Sequence, residues 1–96
     1  MVFFISACGV AISEDVVNPA PHPMQPRTPD QVEIFTAGAP ARPHVDVAVY
    51  RAVVSGPTTN DDRIAKLRET AAQRGCDGLV LANTDAGWAG TCIVYK

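Results

Sequence analysis

The chain has no strong charge of either sign to draw it to a charged partner. Its eight basic residues are scattered, ten acidic residues bring the net charge to −2, and no basic stripe of the kind that tracks a phosphate backbone is present. Long apolar runs are missing as well, and none approaches the ~20 residues of a membrane-spanning helix. No glycine-rich loop follows a strand signal, so the sequence carries no phosphate cradle. There are only two histidines, both ahead of the strong secondary-structure signals, and no Ser/Cys–His–acid set stands out for nucleophilic catalysis. The carboxylate pair Asp61 and Asp62 falls where a helix begins, and helix capping accounts for it. The expectation is a non-catalytic protein with no cofactor, no resident metal and no nucleic-acid partner.

What is present is unevenly spread. In 96 residues, 47% are hydrophobic and 19% charged, a globular balance. Seven of the eight prolines, however, lie between Pro19 and Pro43. Setting that stretch aside leaves about 60–65 residues to build a core, near the lower limit for independent folding. No internal repeat is visible.

Residues 1–8 read Met-Val-Phe-Phe-Ile-Ser-Ala-Cys, with Gly9 next. Bulky apolar residues leading into two small ones and a cysteine fit the end of a secretory signal. The run Ile5-Ser6-Ala7-Cys8 resembles a bacterial lipobox, in which the small residues admit the signal peptidase and the cysteine thiol takes a diacylglyceryl group. Cys8 is thus the candidate lipid-attachment residue. The non-acidic Gly9 after it goes with outer-membrane sorting, facing the periplasm. A signal peptide also needs a basic start and ~7–15 apolar residues. No lysine or arginine precedes Arg27, so the true start is expected upstream of Met1. The competing reading is a buried strand over residues 2–5.

Residues 18–30 hold five prolines in thirteen positions. Each removes an amide donor and fixes φ, which bars helix and central strand alike. Residues 9–31 are therefore expected to form an extended, solvated, proline-rich tether. At ~3.1 Å per residue in polyproline II, it would hold a domain away from lipid headgroups. His22 within it reads as solvated.

Residues 32–96 carry the domain. A short β-rich run over 32–36 is broken at Gly38 and Pro40. The alternation over 45–54 predicts a strand with Val45, Val47, Val49 and Val53 on one face and Asp46, Ala48, Tyr50 and Ala52 on the other. Asn60–Arg74 predicts the single helix. Thr59 or Asn60 caps it, Asp62 pairs with Lys66, Ile64, Leu67, Ala71 and Ala72 form a narrow apolar stripe, and Gly75 ends it. Strands over 79–82 and 91–95 follow, joined by a loop over 83–90. The expected fold class is α+β: a two-layer β-β-α-β-β domain with one helix on a small, mostly antiparallel sheet, preceded by the extended tether.

Three cysteines occur. If Cys8 is acylated, Cys76 and Cys92 remain as an even pair for an oxidising compartment. If the last hairpin turns about Thr84, the two lie opposite each other. If it turns about Gly87, residue 82 faces Cys92, and both cysteines stay as small buried thiols. His44, Asp46 and Tyr50 share a strand face, which reads as solvated rather than as a metal site. Trp88, the one tryptophan, falls on the expected hairpin loop, where it is a candidate partner contact or folds back on the core.

Residues 67–81, ending Gly75-Cys76-Asp77-Gly78-Leu79-Val80-Leu81, and the closing Gly90-Thr91-Cys92-Ile93-Val94-Tyr95 resemble the helix-Gly-Ala-strand and Gly-Thr-Ala-strand pattern of the RcsF-like envelope lipoproteins. The YbjQ-like family, often described as heavy-metal-binding, shares this pattern. Val32-Glu33-Ile34-Phe35 and Val45-Asp46-Val47-Ala48 match the two strands before the helix in the RcsF-like group. The resemblance covers residues 32–95, together with the lipobox and proline-rich spacer. It implies a lipid-anchored envelope domain that meets another envelope component, in stress sensing for the RcsF-like group. The dense four-cysteine loop of that group and the longer N-terminal β segment of the YbjQ-like pentamers have no match here, so neither signalling nor a pentameric metal site is carried over. The alternative expectation is a cytoplasmic oligomeric module binding a ligand or heavy metal.

Overall fold

The computed structural model describes residues 10–54, 56–85 and 87–96. The lipobox and Cys8 lie outside the described residues. The fold is α+β in two layers, one helix on a five-stranded mixed sheet. Strands β1 (Val10–Val16), β2 (Glu33–Phe35), β3 (His44–Val54), β4 (Gly78–Thr84) and β5 (Gly87–Tyr95) lie in the order β1-β3-β5-β4-β2, with helix α1 (Asn60–Arg74) between β3 and β4 in sequence. Neighbours pair antiparallel except β2 and β4, which are parallel. Since β5 is antiparallel to both β3 and β4, those two are parallel to each other, and β3-α1-β4 is a crossover whose gap β5 fills.

The helix has the predicted bounds. Thr59 Oγ1 accepts from the Asp62 amide at 3.1 Å, while the Asp62 carboxylate accepts from the Thr59 amide at 3.2 Å, a reciprocal cap. Asp62 is thereby committed to the cap, and Lys66 pairs with Glu69 at 2.9 Å instead. At the other end Gly75 takes φ +85°, its amide donates to Ala72 O, and the Cys76 amide donates to Ala71 O at 2.9 Å. This is the Schellman arrangement, and it turns Cys76 inward to full burial.

The core lies between α1 and one face of the sheet. Leu67, Ala71 and Ala72 of the helix meet Ala48, Tyr50 and Ala52 of β3, Leu79 and Leu81 of β4, and Cys92 and Val94 of β5. From Ala48 onward the face of β3 toward the helix is therefore the Ala/Tyr face rather than the valine face, while Val47, at the bulge, is buried in the same core. Small residues there let the short-side-chain stripe of α1 sit close. A bulge between Asp46 and Ala48 shifts the phase by one residue, so Val45, opposite Val94, joins the helix side as well. Gly90 leaves room for Leu79: a Cβ at Gly90 would lie 2.7 Å from a Leu79 methyl.

Of residues 9–31, expected as a free tether, residues 10–31 are built into the domain. Val10, Ile12, Glu14 and Val16 of β1 stand opposite Val54, Ala52, Tyr50 and Ala48 of β3, and Val10 and Ile12 pack on the core. The carboxylate of Glu14 reaches Arg74 at the helix end (3.0 Å), and Asp15 pairs with Arg51 at 2.9 Å. The proline-rich stretch then runs as a strap beneath the helix C-terminus. The Arg27 amide donates to Ala72 O at 2.9 Å, and Arg68 donates to Pro29 O and Val32 O at 2.6 and 3.0 Å. A chain poor in amide donors can lie flat on a protein surface with few partners to find, because few of its groups need satisfying.

Candidate functional site

Two clefts flank this core, one at each end of the sheet. The first, of about 430 Å³, opens where β3 ends and β5 begins, and Ala52, Val53, Val54, Arg63, Gly87 and Trp88 line it together with Asp85. Trp88 lies within β5, not on a loop, because β4 and β5 pair as far as Thr84 and Gly87. Its ring packs against the core while Nε1 is buried with no hydrogen-bond partner. An unpaired buried N–H costs about 1–3 kcal/mol, so the indole is held by its apolar surface and not by its polar end. Val53 and Val54, both exposed, form the outer rim.

The second cleft, of about 440 Å³, is polar. Arg27, Glu33, Arg42, Asp77 and Tyr95 line it with His22. Its charges are largely committed to one another. Asp77 accepts from Arg27 and from the Tyr95 amide, each at 2.8 Å, the Tyr95 hydroxyl donates to Glu33 at 2.7 Å, and the Arg42 guanidinium stacks 3.9 Å from the Tyr95 ring centre. Burial and the Glu33 carboxylate both raise the Tyr95 hydroxyl above its ordinary pKa. This cleft joins the strap to the ends of β4 and β5 and so has a structural job.

His22 is the titrating part of that junction. Its Nδ1 faces Pro23 O and its Nε2 faces Tyr95 O, both at 3.1 Å. Neutral imidazole donates from one nitrogen only, whereas imidazolium donates from both. The two carbonyls, Pro23 first and then Tyr95, therefore raise the pKa of His22 above 6.5, helped slightly by Asp77. The folded-state value being the higher one, the stabilisation is complete below about pH 6.5 and disappears as pH rises through the folded-state value. The thermal midpoint should thus fall between about pH 5.5 and about pH 8.5 by more in the wild type than in His22→Gln, as differential scanning fluorimetry would show. An equal fall in both would remove His22 from the account.

The disulfide pair is joined. Cys76 and Cys92 are bonded with Cα atoms 5.6 Å apart, and both are fully buried. The hairpin turns between the two registers considered from sequence: Leu79 faces Cys92, and Cys76 reaches it from the turn that closes the helix. The Tyr50 hydroxyl points at Cys76 Sγ, 3.8 Å away. Burial, then the Glu14 carboxylate, raises the pKa of that phenol strongly, so it stays protonated as a donor. The His44 ring donates through Nδ1 to Arg42 O at 2.8 Å, which leaves Nε2 3.6 Å from Asp46. Tyr50 turns to the helix side, away from them, and no third His, Cys or carboxylate joins the pair among the described residues.

No protein-family model, curated protein or solved structure matches this chain. Function has to be read from the residues themselves.

Proposed function

We propose that this is a lipid-anchored protein of the bacterial cell envelope, non-catalytic, carried on the outer membrane facing the periplasm, whose folded head binds another envelope component. The resemblance to the RcsF-like lipoproteins supports the envelope setting of that binding and carries no signalling role with it. The observation that carries the proposal is the Cys76–Cys92 bond. Buried structural disulfides belong to oxidising compartments. The bond also uses two of the three cysteines and leaves Cys8, at the end of Ile5-Ser6-Ala7-Cys8, as the thiol available for acylation. The cytoplasmic metal-binding alternative needs Cys76 and Cys92 as free thiolates, and both are committed to each other. The Trp88 cleft, with its exposed valine rim, is the apolar contact surface such a head would present.

Standing close to the membrane follows from the same geometry. With β1 starting at Val10, no long spacer separates Cys8 from the domain. Expressed from its full reading frame in a Gram-negative host, the wild-type protein should incorporate labelled palmitate and partition with membranes, and Cys8→Ser should do neither. A wild-type product that is soluble and unlabelled would overturn the proposal.

A further inference from the structure

We infer that the envelope component met by the Trp88 cleft is a zwitterionic lipid surface, with Trp88, Val53 and Val54 as the contact; this rests on the lipid anchor proposed above. Chain geometry points to that end of the molecule. Cys8 precedes Val10 by two residues, and a chain advances at most ~3.6 Å per residue. An acylated Cys8 therefore lies within about 7 Å of Val10 along the backbone and keeps the start of β1 close to the lipid surface. Val10 is paired with Val54, Ile12 with Ala52, and Ala52 lies beside Trp88, so this same end of the sheet carries the cleft.

The surface there suits a lipid interface. Val53 is 53% exposed and Val54 38%, in positions where a soluble protein places polar residues at no cost. Trp88 lines the same cleft and adds the partly exposed apolar part of its ring, while its Nε1 stays buried. Charge selects the lipid. Asp85 shares the cleft with Arg63, Asp61 and Asp62 open α1 just before Arg63, and the nearby Arg51 is paired with Asp15. An excess of carboxylates repels an anionic surface, which leaves a zwitterionic one. The other strongly exposed valines, Val16 and Val17, lie at the far end of β1 and serve as controls.

Trp88 is the sole tryptophan, so its emission reports this contact without labelling. The full chain, coupled through Cys8 to maleimide-phosphatidylethanolamine in phosphatidylcholine vesicles brominated near the ester end of the acyl chains, should lose roughly half its emission, as expected of an indole at headgroup depth. Val53→Asp combined with Val54→Asp should abolish the quenching, whereas Val16→Asp should leave it unchanged. Adding anionic lipid should weaken it. Vesicle-bound protein with unquenched Trp88 would overturn the inference and leave the anchor standing, as would quenching indifferent to the Val53/Val54 change or an emission shift that follows protein concentration and so reports a second copy on the rim. Native protein from the membrane fraction lacking any acyl chain, alongside quenching of the coupled form, would instead overturn the anchor and keep the lipid affinity of the rim.

Discussion

Replacing Cys76 and Cys92 together with alanine should lower unfolding stability by about 3 kcal/mol. That is the chain-entropy value for a loop of roughly 15 residues. The bond spans a sequence separation of 16 and ties the turn after the helix to the central strand β5. A small domain has about 5–15 kcal/mol in total, so the loss takes a large share. The serine pair should be worse than the alanine pair by about 1–3 kcal/mol, because both positions are fully buried and neither hydroxyl has an assured partner. In thermal terms the alanine pair should melt roughly 12–24 °C below wild type, and dithiothreitol should move the wild type the same way. Urea unfolding followed by circular dichroism checks both. A change under about 1 kcal/mol would mean that the sheet and helix hold without the bridge.

The second large effect is expected at Gly75. Two separate demands meet there. Its φ of +85° is one that most side chains reach only at a cost of about 1–2 kcal/mol. In addition, a Cβ at this position would lie 2.6 Å from Gln25 O and 2.8 Å from Gln25 N, backbone atoms of the strap that no rotamer change can move aside. Gly75→Ala should therefore cost about 3 kcal/mol and lift the strap, exposing the bond after Arg27 to trypsin. Asparagine tolerates the left-handed region, so Gly75→Asn separates the two demands. If strap contact matters, Asn is nearly as damaging as Ala and is cleaved as fast. If only backbone strain matters, Asn behaves like the wild type, and the packing of the strap against the helix end is of little consequence.

The elements legible in the sequence are those whose signals are local. Helix α1 carries its own cap, stripe and glycine terminator within sixteen residues of Thr59, and it forms with the bounds read from them. The alternation of β3 is equally local. Its choice of face is not, because the crowding by Ala71, Ala72 and Leu67 that favours Ala48, Tyr50 and Ala52 comes from a helix met later in the chain. Strand β1 carries little local signal because Glu14 and Asp15 interrupt its apolar pattern, and their partners, Arg74 and Arg51, lie far along the sequence. The glycines at 87 and 90 look like loop residues; Gly90 is a strand residue that makes room for Leu79, and the strands run on to Thr84 and Gly87. The prolines of residues 18–30 signal chain without α-helix or strand, though Pro29 opens a short 3-10 turn over Pro29–Gln31, and they give no signal for where that chain lies. For the site, the cysteine count made the Cys76–Cys92 bond a candidate. The position of Cys76 depends on the hairpin register, in which the residue facing Cys92 is Leu79, three positions from the partner in either register considered, and composition does not set that register. The cleft around Trp88 is assembled from β3, β5 and α1 and has no linear motif.

The state of the three cysteines is the centre of the account, and the intact mass of the protein taken from its native membrane fraction reads all three at once. The expected species begins at Cys8, carries the mass of acyl chains, and is lighter by the two hydrogens of one disulfide. A species that retains Met1, carries no lipid and binds alkylating reagent at Cys8, Cys76 and Cys92 without prior reduction would contradict it.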